Sequence, residues 1–579
     1  MSLMSSLYIG TSGLQTSQNA LNTTAHNLSN VDTIGFVRQQ VQQSGKSYIT
    51  LSKTASAVAY QQHGLGVTYS RVKQIRDYFL DKTYRKESGR SMFYEVSTNV
   101  LEEVESQLGE LNGEAFQGTM ADLWTAVQEL AKDPASSVTQ GVLVQRASEF
   151  VERAVAVYDG LSSYQDNLNR QIKQQVDRIN EYGKQILDLN DRIRAIESGG
   201  IERANDMRDA RDQILDELSQ LASISFGEDI FGNVYVQIEG VDFVKGSSCN
   251  EIMLDVAKGT GFYTPFWPQD ATYKVQDDGS LVYNIDGAEV FDLSIEISSD
   301  LNTDIGGLKS MLLARGDHRA DYTDMAPEKY DKISQSVLMN MQGEFDQLIH
   351  NVVTKINDIL SQAAGAQRGD LVVQNADGTT ETLSNVKYVK SEPGGYMRNA
   401  DGSPIQMFDK ITTDAYTKVT GDDGETYWVY NEEDVDAQDS LYSLKNLRIN
   451  QELMQKPSML GFRLKDGKED QATADALKAA FTEELYTLNP NTKKKVSFND
   501  YYSDMVTQVA NTGYVNRSIL INQENTVEAI ESSRAQVIGV SSDEELSNMI
   551  KFQNAYNASS RYINAISEML EHIINTLGR

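Results

Sequence analysis

The chain has 579 residues, room for three or four domains, because single hydrophobic cores stop growing at roughly 250–300 residues. Lys and Arg total 52 against 83 Asp and Glu, a formal charge of −31 that repels phosphate backbones and argues against nucleic acid as a partner. The single cysteine, Cys249, can neither close an internal disulfide nor build a thiolate zinc cage. No apolar run reaches the ~18 residues of a membrane span, and the start lacks a cleavable leader, so neither membrane insertion nor a signal peptide is expected.

Leu7, Leu14, Leu21 and Leu28 recur every seven residues and predict a helix from about residue 3 to Ser29 that buries a narrow seam against another helix. The residues flanking that seam, among them Ser12, Thr16, Ser17, Thr23, Thr24 and Ala25, are small or polar. Such a helix has little face to bury alone and is expected to order on assembly. The first 60 residues carry one acid, Asp32, so copies of this segment can pack together at little desolvation cost. Asn30-Val31-Asp32-Thr33-Ile34-Gly35-Phe36 favours turns, and residues 37–70 read as an extended connection around Gly64-Leu65-Gly66. The first division is therefore 1–70, an assembly helix and linker.

From Val72 to about Leu221 the three-four spacing of Ile172, Val176, Ile179, Ile186, Leu189, Ile193 and Ile196 predicts long amphipathic helices, broken at Asp133-Pro134 and Ser198-Gly199-Gly200. This is the first part of an antiparallel bundle, 71–225. At Phe226 the period becomes two: Val234, Val236 and Ile238, then Leu281, Tyr283, Leu293, Ile295 and Ile297, with Asp278-Gly279 and Asp286-Gly287 as hairpin turns, define an inserted β domain over 226–304. The bundle resumes over 305–366, with one helix expected from Lys329 to Ala364. A second β-rich insertion, 367–470, contains Asp-Gly pairs at 377, 401, 423 and 466 and the strand Tyr427-Trp428-Val429-Tyr430. Its nested position suggests a peripheral module whose deletion assembly tolerates. The last part of the bundle spans 471–540, and 541–579 forms a terminal helix in which Met549, Tyr556, Ile563, Leu570 and Leu577 repeat by seven, joined by Phe552, Ile566 and Ile573. Matching repeats at both ends predict that the termini pair. The fold class is α+β: an elongated multidomain chain with paired terminal coiled-coil helices, a long antiparallel bundle and two β insertions.

Chemistry-bearing constellations are not evident. His26, His63, His318, His350 and His572 are scattered without H-E-x-x-H spacing, and His318 beside Asp317 and Asp321 reads as a solvated loop. The Asp-Gly pairs lack the glutamate of a calcium loop and read as turns. No catalytic residue, cofactor or metal is expected.

The segment Ala25-His26-Asn27-Leu28-Ser29-Asn30-Val31-Asp32-Thr33-Ile34-Gly35-Phe36 resembles the A-N-N-I-A-N-x-x-T-x-G-[YF] signature of bacterial flagellar rod, hook and hook-associated proteins. Asp543-Glu544-Glu545 followed by Met549 to Arg561 resembles the D-E-E…Q-x-A-Y-x-A-x-x-R element at the other end of the same family. His26 stands where the family has its first Asn, and Ile34 where Pro is common. Three internal stretches resemble the hook-associated branch: Arg76-Asp77-Tyr78-Phe79-Leu80-Asp81 with Arg85, Ala204 to Ser219, and Gly306-Gly307-Leu308-Lys309-Ser310 to Arg315.

The resemblance implies a non-enzymatic structural adaptor joining the flagellar hook to the filament. It implies a ring of subunits at the hook tip, exported through the flagellar type III apparatus with a chaperone on the C-terminal segment, and located in the extracellular flagellum. Implied partners are further copies of the chain, the hook protein, the second junction protein, and flagellin and its cap on the filament side. Expected assembly residues are Leu7, Leu14, Leu21, Leu28, Gly35, Phe36, Met549, Phe552, Tyr556, Ile563, Ile566, Leu570, Ile573 and Leu577, with Asn27 and Asn30 either capping the first helix or touching a neighbour. The rival readings are an enzyme or adhesin displayed on a flagellar-type shaft, with Tyr427, Trp428 and Tyr430 as its working face, and a hook or distal rod protein.

Overall fold

The computed structural model describes residues 3–52, 61–109, 116–200, 202–276, 281–375, 379–464 and 466–577. Helix α1, Leu3–Ser29, has the span its period predicts. Four strands follow instead of a loose connection: β1 (Gln39–Gly45), β2 (Ile49–Ser52), β3 (Gln61–His63) and β4 (Val67–Gln74), with β1 antiparallel to β4 and β2 to β3. Their Gln-rich faces give no period-two hydrophobic signal, so only the pairing, Val41 opposite Val72 among it, reveals them.

Helices α2 (Tyr78–Leu108), α3 (Phe116–Lys132), α4 (Ser137–Glu197) and α5 (Asn205–Leu221) come next. Asp77 caps α2 by accepting from the Phe79 and Leu80 amides. The breaks fall at Asp133-Pro134 and at Ser198-Gly199-Gly200, where Gly200 takes φ +67°. At 1.5 Å per residue the 61 residues of α4 extend over about 90 Å and make the molecule elongated. Ile172, Val176, Ile179, Ile186 and Ile193 are buried along one face of it, while Leu189 and Ile196 are not.

The first β region has a sheet ordered β5 (Ile224–Glu228), β6 (Val234–Ile238), β7 (Val241–Lys245), β8 (Ser248–Cys249). Two hairpins follow, β9 (Met253–Val256) with β10 (Tyr263–Phe266), and β11 (Thr272–Val275) with β12 (Leu281–Asn284). The Asp278-Gly279 turn lies outside the described residues, and Gly287 turns with φ +77°. Leu293, Ile295 and Ile297 do not form the expected strand: the segment is irregular, and Leu293 and Ile297 pack on Phe93, Tyr94 and Leu313.

Helix α6 (Gly307–Arg315) fits tightly under α2 and α5, with Gly306 at φ +97° where a Cβ would come within 2.8 Å of the Ala222 backbone. The single helix expected from Lys329 is two, α7 (Pro327–Ile333) and α8 (Val337–Ala363), separated where Ser336 caps α8 by accepting from the Met339 amide.

The second insertion holds β13 (Gln367–Gln374), β14 (Thr380–Lys390), β15 (Phe408–Lys410), β16 (Tyr416–Thr420), β17 (Thr426–Tyr430) and β18 (Leu447–Ile449). One sheet is ordered β13-β14-β17-β16, and β15 pairs with β18. The Asp-Gly pairs at 401, 423 and 466 turn with positive φ at their glycines; the pair at 377 lies outside the described residues. Among the described residues of this insertion, the four-stranded sheet has a core of its own, around Leu371, Val373 and Val429. Met397, Ile405, Met407, Phe408, Tyr442 and Phe462 belong to the same cluster as Phe345 and Leu348 of the bundle, so much of this insertion is not peripheral. The chain closes with α9 (Gln451–Gln455), α10 (Gln471–Thr482), α11 (Phe498–Ile538) and α12 (Ser542–Leu577).

Candidate assembly interface

The two ends pair, α1 against α12. Ser6, Gly10, Gly13, Ser17, Ala20, Thr24 and Asn27 repeat along α1 by four and three and are buried, except Gly13, which is half-buried; among them Gly10, Gly13 and Asn27 meet α12. A Cβ on Gly10 would stand 2.7 Å from Ile563 Cγ1, and one on Gly13 2.9 Å from Ser559 Oγ. Small residues thus let α12 approach closely and receive its larger Met549, Phe552, Tyr556, Ile563, Ile566 and Leu570. Of these Ile566 is buried and the rest half-buried; Ile573 is exposed, and the Leu577 side chain is outside the described residues.

Leu7, Leu14, Leu21 and Leu28 lie one position along from these small residues and are half-buried in the single chain. Physically, bulky leucines would hold the two backbones apart, whereas Gly, Ala and Ser let them close. Large apolar groups of the pair remain in solvent, including Tyr8, Ile550, Met569 and Ile574.

Asn27 has a role that sequence reasoning missed. Fully buried, it donates through Nδ2 to Gln39 O (2.8 Å) and Glu545 Oε2 (3.2 Å) and accepts from Gln39 N (3.0 Å), so it fastens the returning chain and the start of α12 to the end of α1. The buried Glu545 carboxylate is met by Arg38 (2.9 Å), which also reaches Glu544 (2.8 Å) and donates its amide to Ile538 O (2.8 Å). Asn30 closes the helix end locally, donating to His26 O (2.9 Å) and accepting from Thr33. Gly35 takes φ +79° and faces the Gln213 side chain, and Phe36 sits edge-on to His26.

The helix pair is seated on the bundle by α5. Asp206 meets Gln39 (3.1 Å) and His26 (3.5 Å); Asp209 accepts from Val37 N (3.2 Å) and Gln74 Nε2 (2.6 Å). Burial pushes the Asp209 carboxyl up to about 7, against the Val37 amide and Arg76, which lower it. Beneath it Arg76 pairs with Asp212 and Asp81, Arg85 with Asp212 and Asp216, and Arg534 of α11 with Asp81 and Asp216. Two internal motifs singled out in the sequence therefore meet in one buried ion-pair network, where every arginine finds two carboxylates. Their signal in the sequence was the Asp-x₂-Asp-x₂-Asp-x₃-Asp spacing of Asp206, Asp209, Asp212 and Asp216, which puts these carboxylates on one face of α5.

Elsewhere the candidate groups are structural. His318 is pushed up to about 10 by hydrogen bonds to Asp317 (2.6 Å) and Asp324 (3.1 Å) and closes a turn as a cation. In the second insertion Tyr416 packs edge-on to Tyr430 and Tyr388 to Tyr427, and Trp428 donates to Ser391, which engages the aromatics suggested for a binding face with their own strands.

Comparison with known proteins places the chain among flagellar relatives. A model of the flagellar hook-associated protein FlgK helical domain matches residues 101–371, one of the flagella basal body rod protein family matches residues 7–36, and one of the flagellar basal body rod FlgEFG protein C-terminal region matches residues 536–576. Flagellar hook-associated protein 1 of Bacillus subtilis is 25% identical over 570 residues, covering 98% of this chain and 96% of that protein. The Escherichia coli protein of the same name is 23% identical, covering 97% and 98%. The flagellar hook junction protein FlgK from Burkholderia pseudomallei superposes with a TM-score of 0.50 at 12% identity, over 79% of this chain and all of that one, and shares its fold.

Proposed function

This chain belongs to the flagellar rod, hook and hook-associated protein family, and from that premise we propose that it is the structural adaptor subunit joining the bacterial flagellar hook to the filament. The observation that carries the reading is a terminal helix pair held by small residues, with the leucine stripe half-buried and Ile550, Met569 and Ile574 exposed. A monomer has no use for that second face; a ring of copies does. Fully burying one large apolar side chain contributes about 1.5–3 kcal/mol before ordering entropy is subtracted. Leu7, Leu14, Leu21 and Leu28 are the residues that bury on assembly in this reading, while the α12 seam residues serve the pair itself.

The chain works without a cofactor. Its partners are further copies of itself, the hook protein on one side, and on the other the second junction protein and the flagellin filament with its cap. Before assembly it passes through the type III export apparatus, with a chaperone covering the apolar face of α12. A chromosomal deletion examined by electron microscopy, with flagellin assayed in the medium, tests the role. Hooks without filaments and shed flagellin are expected; normal filaments would overturn it.

A further inference from the structure

A cleft of about 280 Å³ lies where the first turns of α2 meet the end of α5 and β5. Tyr78, Phe226, Ile224 and Ile305 form its apolar walls, and Lys82, Arg85 and Lys86 its charged ones. Among the described residues no carboxylate lines it, in a chain where acids outnumber bases 83 to 52. Lys82 and Lys86 stand one helical turn apart, both exposed, and neither has an ion-pair partner among the described residues. Like charges at that spacing repel, so the pair is a standing cost unless an anion comes between them.

Arg85 lines the same cleft. Its side chain is 2% exposed. One edge of the guanidinium is spent on Asp216 (2.6 Å) and Asp212 (3.1 Å), and its face lies 4.2 Å from the centre of the Phe226 ring. The remaining nitrogen, Nη1, is buried with no hydrogen-bond partner. A buried donor left unmade is destabilising, the more so on a charged group. The rim carries Asn302, held at φ +55°, whose Oδ1 accepts from Arg90 (3.0 Å).

We infer that this cleft receives a carboxylate side chain, with an apolar neighbour beside it, from a second copy of the chain in the assembled ring. The inference rests on the junction reading above. Charge complementarity favours this occupant: the net charge of −31 makes two copies repel in general, and a carboxylate-free basic pocket gives one acidic group a specific seat. The contact is heterologous, cleft to carboxylate, the type that closes into rings.

The test is zero-length carbodiimide cross-linking, which joins a lysine amine to a carboxylate in contact with it, applied to purified hook–filament structures and to the full-length monomer, followed by peptide mass spectrometry. Isothermal titration of the monomer with sodium acetate and with inorganic phosphate forms the second arm. Expected are links from Lys82 or Lys86 to an Asp or Glu of another copy in the assembled material alone, and no saturable binding of either free anion below millimolar concentration. The variant carrying both Lys82→Glu and Lys86→Glu, two exposed positions, is expected to keep the monomer's melting temperature and to lower the fraction of filament-bearing hooks at least tenfold.

Tight binding of acetate or phosphate to the monomer would overturn the proposal in favour of a small-anion site. Links to a different protein would overturn the second-copy assignment. Assembled structures that contain the chain but give no link at either lysine would overturn the cleft contact and leave the junction role standing. Absence of the chain from those structures would overturn both.

Discussion

The terminal helix pair and the central bundle are built on the same helical periodicity and differ in how completely they use it. In α8 most residues are buried, with Phe345, Leu348, Ile349, Val352 and Val353 at 0% exposure. In α12, among the described residues, only Glu545 and Ile566 are buried. The bundle is finished within one chain, whereas the helix pair is finished only on its small-residue side. Stability resides in the first and assembly in the second, because apolar surface already removed from water cannot drive association.

Damage to the bundle should therefore have the largest effect on the monomer. Phe345→Ala empties a site packed against Phe116 and is expected to cost about 3–5 kcal/mol, read as a lower denaturation midpoint of the main transition.

Glu344 gives a pH-dependent counterpart. It is buried, accepts through Oε1 from Asn340, Asn489 and Gln508, and has no cation; burial pushes its carboxyl up to about 7, from an ordinary value near 4.5. Below pH 4.5 both folded and unfolded chains hold the proton and the group is neutral in stability. As pH rises toward 7 the unfolded chain releases it first, so wild-type stability falls through this window and levels off above it. Glu344→Gln removes that slope and at pH 8 exceeds wild type by an amount on the order of 2 kcal/mol. Equal stability of the two proteins at pH 8 would show the charge to be compensated.

At the joint, Asn27→Ala leaves Glu545 and the Gln39 backbone short of partners, a local loss of about 1–2 kcal/mol. Hydrogen exchange should quicken in α1, β1 and the first turns of α12 and stay unchanged in α8. Uniform quickening would mean that the helix pair and the bundle open together.

The smallest change in the monomer accompanies the largest in assembly. Leu14→Asp, at a half-buried position off the seam, should alter monomer stability by less than about 0.5 kcal/mol and yet block incorporation at the hook tip. Ile563→Asp should instead separate α1 from α12 in the free chain, since Ile563 faces Gly10. If both variants unfold the pair equally, the division between seam and stripe is wrong.

Much of this was legible in the order of residues. The heptad at each end, the breaks at Asp133-Pro134 and Ser198-Gly199-Gly200, and the change to period two at Phe226 each report a local backbone preference, and local preferences survive in one dimension. The strands of residues 39–74 escaped because their Gln-rich faces bury little, and the continuity of the second insertion with the bundle escaped because a core is defined by partners distant in sequence.

The face by which α1 meets α12 was equally out of reach. Ser6, Gly10, Gly13, Ser17, Ala20, Thr24 and Asn27 repeat as regularly as the leucines, but small residues read as a weak hydrophobic signal until the bulky side chains of α12 stand opposite them. Arg76, Arg85, Asp212 and Asp216 lie in separate segments of the chain, and only the approach of α2, α5 and α11 joins them into a buried network. The sequence by itself determined which long segments are helical, since period and turn chemistry act between neighbours along the chain. Tertiary structure alone decided which face of each helix is spent inside the molecule and which is left for another, because close packing and desolvated charge depend on what arrives from elsewhere.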